Sequence, residues 1–211
     1  NLTLVARMTG ALSRVNVQHV VNISSDAVYG DEPLPLTEDS PKAPGSLHGV
    51  MHLSRELALA AEASAPIIHL RPTLIYGAAD PHNGYGPNRF RRLAAAGKDI
   101  VLFGEGEERR DHVDVDDVAE LVRLIVTRRS VGIANAVSGE VASFRELAEF
   151  VVSAFSPAVQ IISSPRIGPM PHGGYRPFDN SSVIKAFPGF RFKGWREGLA
   201  AIHARQLQEL R

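Results

Sequence analysis

Residues 18–30 read Gln18-His19-Val20-Val21-Asn22-Ile23-Ser24-Ser25-Asp26-Ala27-Val28-Tyr29-Gly30. Residues 18–24 are rich in β-formers and too short for a helix, and the run into Ser24, Ser25 and Asp26 marks the polar end of a strand. Upstream, Val5, Met8, Leu12 and Val15 fall at helical spacing, which predicts an amphipathic helix already under way at residue 1. Downstream, a loop punctuated by Pro33, Pro35, Pro41 and Pro44 leads to Ser46. Beyond it Val50, Leu53, Leu57 and Ala60 mark a second helix ending near Ser64. A strand at Ile67–Leu70, a Gly- and Pro-rich stretch over 77–88, a helix near 88–96 and a short strand at 100–103 follow. Strand and helix alternate as in βαβ units, so the expected fold class is α/β with a parallel sheet.

The second half continues the pattern. Asp114 and Asp117 bracket the start of a helix with Val118, Leu121, Val122 and Ile125 on one face, and a strand at 131–137 comes next. Ser143 with Glu146 forms a capping box that opens a helix carrying Leu147, Phe150, Val151 and Ala154. Residues 159–162 read as a strand, 164–180 as an extended loop, and Trp195, Leu199 and Ile202 as a last helix. The sum is a parallel α/β sheet plus a smaller α/β lobe.

Composition removes several function classes. Lys plus Arg number 23 and Asp plus Glu number 23, so no bulk field draws the chain to nucleic acid or to an anionic membrane, and any anion site must be local. With no cysteine, disulfide frameworks, thiolate metal sites and cysteine nucleophiles are excluded, and a reducing compartment fits. No apolar run reaches the roughly 18 residues that span a bilayer, and no signal peptide opens the sequence. The expected location is the cytoplasm.

In open parallel sheets, ligands collect beyond the carboxyl ends of the strands, where Ser25 and Asp26 stand. Taken alone, these two residues read as turn formers that satisfy local backbone donors. The order of further blocks adds context: Pro44-Gly45-Ser46, a helix, then Leu70-Arg71-Pro72-Thr73-Leu74-Ile75-Tyr76-Gly77, Gly104-Glu105-Gly106, and Arg110-Asp111-His112-Val113-Asp114-Val115-Asp116-Asp117-Val118. Together with Ser24 to Gly30 these blocks resemble the extended short-chain dehydrogenase/reductase family, in its NAD-dependent sugar-nucleotide epimerase and dehydratase branch. The resemblance covers nearly the whole chain. It implies a Rossmann-like parallel sheet with helices on both faces, NAD or NADP as cofactor, and a nucleoside-diphosphate sugar as substrate. It also implies a division in which 1–77 and 111–140 form the nucleotide-binding part and 78–110 with 141–211 the substrate-binding lobe.

Two departures accompany the resemblance. The family opens with a strand, a GxxGxxG turn and a helix that hold the dinucleotide pyrophosphate. No such turn occurs here: Gly84-Tyr85-Gly86 and Gly104-Glu105-Gly106 have Arg89 and Arg109 where the third glycine belongs. The first helix matches the family's fourth, so the sequence corresponds to the family's carboxyl-terminal two-thirds. The second departure is chemical. The family's Tyr-x-x-x-Lys pair, whose tyrosinate takes the sugar hydroxyl proton and whose lysine holds the ribose, is replaced by His48-Gly49-Val50-Met51-His52.

Four residues apart on a helix, the two imidazoles share one face. An imidazole with its ordinary pKa near 6.5 is a competent acid or base without help, but it is shorter than a phenol, and small misplacements of such a group cost large factors in rate. Three readings stay open: an active site with altered acid/base groups, a relative that binds without turnover, and a metal-binding or surface pair. Under the first, the resemblance assigns Ser25 to the reacting hydroxyl, His48 to its proton and His52 to the cofactor ribose. Ser24 and Thr73 then stand near the cofactor. Asp26 matches a dehydratase acid, but Ala27 stands where those enzymes carry Glu, which favours epimerisation or keto reduction over water elimination.

For the substrate, the resemblance points to Asn88 and Arg110 as contacts to the pyrophosphate, and an arginine fork suits two phosphate oxygens. The alternative for Arg110 is a salt bridge to Asp111 or a nearby Asp. Arg166 or Arg176 could add a contact, although on a loop both read more simply as solvated. Leu74 replaces the family's frequent Asn and removes one sugar contact. His82, His112 and His172 read as structural or solvated. The resemblance further implies a homodimer in which the helices at 1–15 and 47–64 pack into a four-helix bundle.

Overall fold

The computed structural model of the chain describes residues 2–156 and 158–209. In chain order its elements are α1 (Leu2–Leu12), β1 (Val20–Ile23), α2 (Leu47–Glu62), β2 (Ile67–Pro72), β3 (Leu74–Tyr76) and α3 (Pro87–Ala95). There follow β4 (Ile100–Phe103), β5 (Arg109–Asp114), α4 (Val115–Arg128), β6 (Gly132–Ala136), β7 (Val141–Ser143) and α5 (Phe144–Phe155). The chain ends with β8 (Ile161–Ser164), β9 (Tyr175–Arg176), α6 (Ser181–Ala186) and α7 (Trp195–Glu209), and short 3-10 turns occupy Asp26–Val28 and Pro171–Gly174. Asn1, where the sequence already reads as helical, lies outside the described residues.

The chain divides into two compact units, the first comprising 1–73, 117–137 and 179–191, the second 74–116, 138–178 and 192–211. The first is built on a parallel sheet in the order β1-β2-β6, with Ile23 beside Leu70 and Leu70 beside Ala134. Its β2 is buried along almost its whole length, as expected of a central parallel strand. Leu36, Leu59, Leu70, Leu121 and Ile125 are among its fully buried side chains.

α2 differs from the face read in its sequence. Val50 and Leu57 of the predicted apolar stripe are 44% and 63% exposed, while Gly49, Glu56 and Leu59 are buried. A carboxylate can occupy the inner face because Arg71, from β2, binds it in a two-pronged pair. Nε donates to Glu56 Oε1 at 2.9 Å and Nη2 to Oε2 at 2.6 Å. Burial works against an ionised Glu56, but the hydrogen bonds from Arg71 prevail and hold its pKa below the ordinary carboxylate value. Arg71 Nη1 also donates to the Tyr29 hydroxyl at 2.8 Å, which donates in turn to Asn135 Oδ1 at 2.7 Å. Burial pushes the Tyr29 pKa up to about 12 in spite of the nearby guanidinium, so the phenol stays a neutral donor.

The second unit departs from an all-parallel plan. β3 and β9 run parallel to β5, whereas β7 pairs with it antiparallel, and β4 and β8 form a separate parallel pair. The expected loop at 164–180 therefore contains a strand, β9, as well as a 3-10 turn. α5 begins at the anticipated capping box: Ser143 Oγ accepts from Glu146 N at 3.0 Å and Glu146 Oε2 from Ser143 N at 2.8 Å. Its Phe144, Leu147 and Val151 join Phe90, Leu102 and Trp195 in one core.

Candidate functional site

In the first unit, β1 ends as Ser24 N donates to Leu70 O at 2.7 Å, and the chain turns at once into the 3-10 turn. Ser25 caps that turn, its Oγ accepting from Ala27 N at 3.2 Å and donating to Asp26 Oδ1 at 3.4 Å. Ser24 and Asp26 are buried, and Ser25 keeps partial exposure. Thr73, also buried, donates its N–H to Ala136 O at 3.2 Å, extending the β2–β6 ladder by one residue.

α2 starts at Leu47, where Ser46 Oγ accepts from Gly49 N at 3.1 Å. Gly49 is required there. A Cβ on it would stand 2.0 Å from the Ala27 carbonyl oxygen and 2.8 Å from Pro44 Cβ, so the helix lies with its backbone directly on the turn that carries Ser25 and Asp26. This contact brings the histidine-bearing first turns of α2 to the end of β1. The His48 and His52 rings are edge-to-face with centroids 4.5 Å apart.

His48 is exposed and His52 half-buried. His52 Nδ1 meets Arg55 Nη2 at 3.0 Å. Because a guanidinium only donates, Nδ1 must be the bare nitrogen and Nε2 carries the proton. Burial first, then the charges of Arg55 and His48, lower the His52 pKa from 6.5 to about 4, outweighing Glu56 and Asp26. At neutral pH His52 is thus an uncharged N–H donor. The two imidazoles, Met51 and Arg55 line a groove of about 240 Å³ with Leu4 and Val5 of α1. Among the described residues, no group of three His, Asp or Glu stands where it could hold a metal ion.

The remaining anticipated residues lie in the second unit. Arg110 and Arg176 are register partners on β5 and β9. Arg110 Nη1 donates to Glu108 Oε1 at 3.3 Å, and Arg166 Nη1 reaches the other oxygen of the same carboxylate at 3.5 Å. Neither Arg166 nor Arg176 is solvated, contrary to the simpler reading. Arg176 is fully buried, with Nη1 3.0 Å from His172 Nδ1, and Arg166 also donates to Phe103 O at 3.3 Å. They are held inward because β9 pairs with β5 and because Glu108 is shared. Asp111 serves the backbone, accepting from Ser138 N at 2.9 Å and Gly139 N at 2.7 Å. Arg166 Nε also lies 3.9 Å from Glu107 Oε1, so the two guanidinium groups face two carboxylates.

Asn88 Oδ1 accepts from Gly77 N at 3.0 Å, and Asn88 lines a cavity of about 180 Å³ together with Leu74, Tyr85, His82 and His112. His112 is buried, its Nδ1 3.2 Å from Arg110 O, and among the described residues its Nε2 has no hydrogen-bond partner. Burial, followed by the Arg110 charge, takes its pKa down to about 3. Sequence reasoning missed Gly49, Arg55, Glu108 and the cavity role of His112. Only Gly49 carried a readable signal, as a glycine inside the first turn of a helix.

The sequence matches the NAD dependent epimerase/dehydratase family over residues 1–137. The chain belongs to this family. A UDP-glucose 4-epimerase of Mycolicibacterium smegmatis is 32% identical over 127 residues, covering 57% of this chain and 41% of that protein. A dTDP-L-rhamnose 4-epimerase of Burkholderia thailandensis is 26% identical over 220 residues, covering 82% of this chain and 59% of that protein. The chain spans about half the length of the curated relatives it matches. Among solved structures, the UDP-N-acetylglucosamine 4-epimerase from Methanobrevibacter ruminantium M1 superposes with a TM-score of 0.84 at 21% identity, over 99% of this chain and 69% of that one. MoeE5 in complex with UDP-glucose and NAD superposes with a TM-score of 0.80 at 27% identity, over 98% and 71%. The expected α/β, Rossmann-like class is therefore the observed one. Among the described residues, no helix is long and apolar enough to cross a membrane.

Proposed function

We propose that this family member acts with NAD or NADP on a nucleoside-diphosphate sugar, as an epimerase or keto reductase whose proton carrier is His48. The observation that supports the reading is the seat of α2 on the Ser25–Ala27 turn at Gly49, which sets the helix bearing the two imidazoles against the turn bearing a hydroxyl and a carboxylate. The groove of His48, His52 and Arg55 suits the ribose of a dinucleotide, since His52 has an N–H to donate to its hydroxyl and, among the described residues, the buried Arg55 Nε has no hydrogen-bond partner. A dinucleotide held there would supply hydride transfer from and to the sugar carbon. Ser25 Oγ orients the reacting hydroxyl, and His48 receives that hydroxyl's proton as the carbonyl forms and gives it back on reduction. Arg110 and Arg166, held by Glu108, suit the diphosphate, with Arg176 and Asn88 beside them in the same unit. Leu74 in the Asn88 cavity supports a sugar that presents an apolar edge there.

A second reading, binding without turnover, has its own observation. Among the described residues no hydrogen bond joins Ser25 to either imidazole, and His52 brings no positive charge at neutral pH. One experiment separates the two: incubation of the protein with NAD or NADP and a panel of nucleoside-diphosphate sugars, with sugar products identified by NMR. Turnover that His48→Phe abolishes while sugar-nucleotide binding persists supports the enzyme. Tight binding with no product supports the second reading, and no binding of either ligand refutes both. The exposed apolar side chains Met8, Val50 and Leu57 on the paired helices α1 and α2 support a homodimer through these helices.

A further inference from the structure

Arg55 lies one turn beyond His52 on α2 and belongs to neither of the charge networks described above. Its Nη2 donates to His52 Nδ1 and to the carbonyl of Ile23, the last residue of β1, while its buried Nε has no hydrogen-bond partner among the described residues. Among the described residues it makes no salt bridge, because the neighbouring Glu56 is taken up by Arg71. Burial opposes its charge and draws its pKa below the ordinary guanidinium value, with Glu56 acting the other way. A cation kept half-buried without a carboxylate, with a donor unspent, is costly unless something negative or strongly polar meets it.

Its effect on His52 is specific. A donor-only group on Nδ1 leaves the imidazole a single neutral tautomer, and a charge at this distance both polarises the remaining N–H and resists a second proton. Donor and charge, which one lysine ammonium would combine, are here divided between two side chains. We infer that Arg55 is a positioning residue of the candidate cofactor groove: it fixes His52 as an Nε2–H donor and supplies the positive charge met by a ribose hydroxyl of the dinucleotide. The ligand part of this inference rests on the cofactor reading above. The hold of Arg55 on His52 does not.

The test has two arms, on wild type, Arg55→Met and Arg55→Lys, each first checked for an unchanged unfolding midpoint. In the first arm, nitrogen-15 NMR of the imidazoles reports the His52 tautomer. Wild type gives Nε2–H alone, Arg55→Met gives a mixture of tautomers, and Arg55→Lys restores Nε2–H. A wild-type His52 protonated on Nδ1, or an Arg55→Met spectrum identical to wild type, overturns the inference. In the second arm, NAD affinity falls roughly tenfold in Arg55→Met and recovers in part in Arg55→Lys, the size expected for a hydrogen bond that loses its charge assistance. UDP affinity stays constant in all three. NAD affinity unchanged in Arg55→Met overturns the charge role. If wild type binds no NAD, the cofactor reading and the charge role fall together, and the first arm still decides whether Arg55 sets the state of His52.

Discussion

Replacing Gly49 by alanine isolates the contact that assembles the candidate site. At a helix position free of neighbours this change is stabilising by up to about 1 kcal/mol, because alanine is the better helix former. Here the new Cβ would stand 2.0 Å from Ala27 O, where ordinary contact begins at 3.4 Å, and the obstacle is backbone that no rotamer change can move. The first turn of α2 must retreat from the 3-10 turn by more than an ångström. Overpacking of this kind costs about 1–3 kcal/mol, so the sign of the stability change reverses. For a chain of this size that is a fall of roughly 2–4 °C in Tm for each kcal/mol. The same retreat shifts the helix that bears His48 relative to the turn that bears Ser25, and on the proposed function a displacement of about 1 Å at a reacting group costs on the order of a hundredfold in rate. Gly45→Ala is the control, since nothing lies within 4 Å of its Cβ. Urea unfolding gives the stability change and product formation the rate. A Gly49→Ala protein as stable as Gly45→Ala, with turnover intact, would refute the close approach and the site built on it.

Other outcomes follow from the same structure. Arg71→Met should cost about 3–5 kcal/mol by stranding the Glu56 charge, and Arg71→Met with Glu56→Leu should recover most of it; denaturant titration of the three variants decides this. His112 has a folded pKa of about 3 against an ordinary 6.5, so the unfolded chain takes up the proton first. Its contribution is whole above roughly pH 6.5 and is lost as pH falls toward 3, at about 1.4 kcal/mol per unit at most. His52 adds a smaller loss between about 6.5 and 4. His112→Phe should flatten the acid limb of the urea midpoint plotted against pH, and an unaltered limb would remove His112 as its source. Sedimentation should show Leu57→Lys as a monomer beside a dimeric wild type, whereas a monomeric wild type would end the bundle proposal.

What the sequence disclosed depended on whether the controlling interaction was local. The strand at 100–103, the helix opening after Ser46 and the Ser143–Glu146 box are set by neighbours within a few residues, and the structure has them as read. β5 stayed hidden because five of its six residues, Arg109, Arg110, Asp111, His112 and Asp114, are titratable and none advertises a strand. Two of the carboxylates are accommodated by partners remote in sequence, Ser138 and Gly139 for Asp111 and Lys193, 3.6 Å from Asp114. The inner face of α2 was misread for the same reason: Glu56 is buried because of Arg71, a residue of the next strand, and periodicity contains no record of that pair. The site residues were named from resemblance. Their partners Arg55 and Glu108 were not, because which cation adjoins which imidazole is a fact of three dimensions.

The dispersed sources of support for β5 bear on how the chain is made. Much of its support is encoded downstream, from the Ser138 N–H on Asp111 through the β9 pairing at 175–176 to Lys193 on Asp114, while Arg110 pairs with the neighbouring Glu108. During synthesis from the amino terminus β3 and Glu108 precede or accompany β5, whereas β7, β9 and Lys193 follow, so β5 stays paired on one side alone until those later segments emerge. Ribosome-stalled chains ending before residue 138 should therefore be cut by protease within 109–114, and those released with the full length should not.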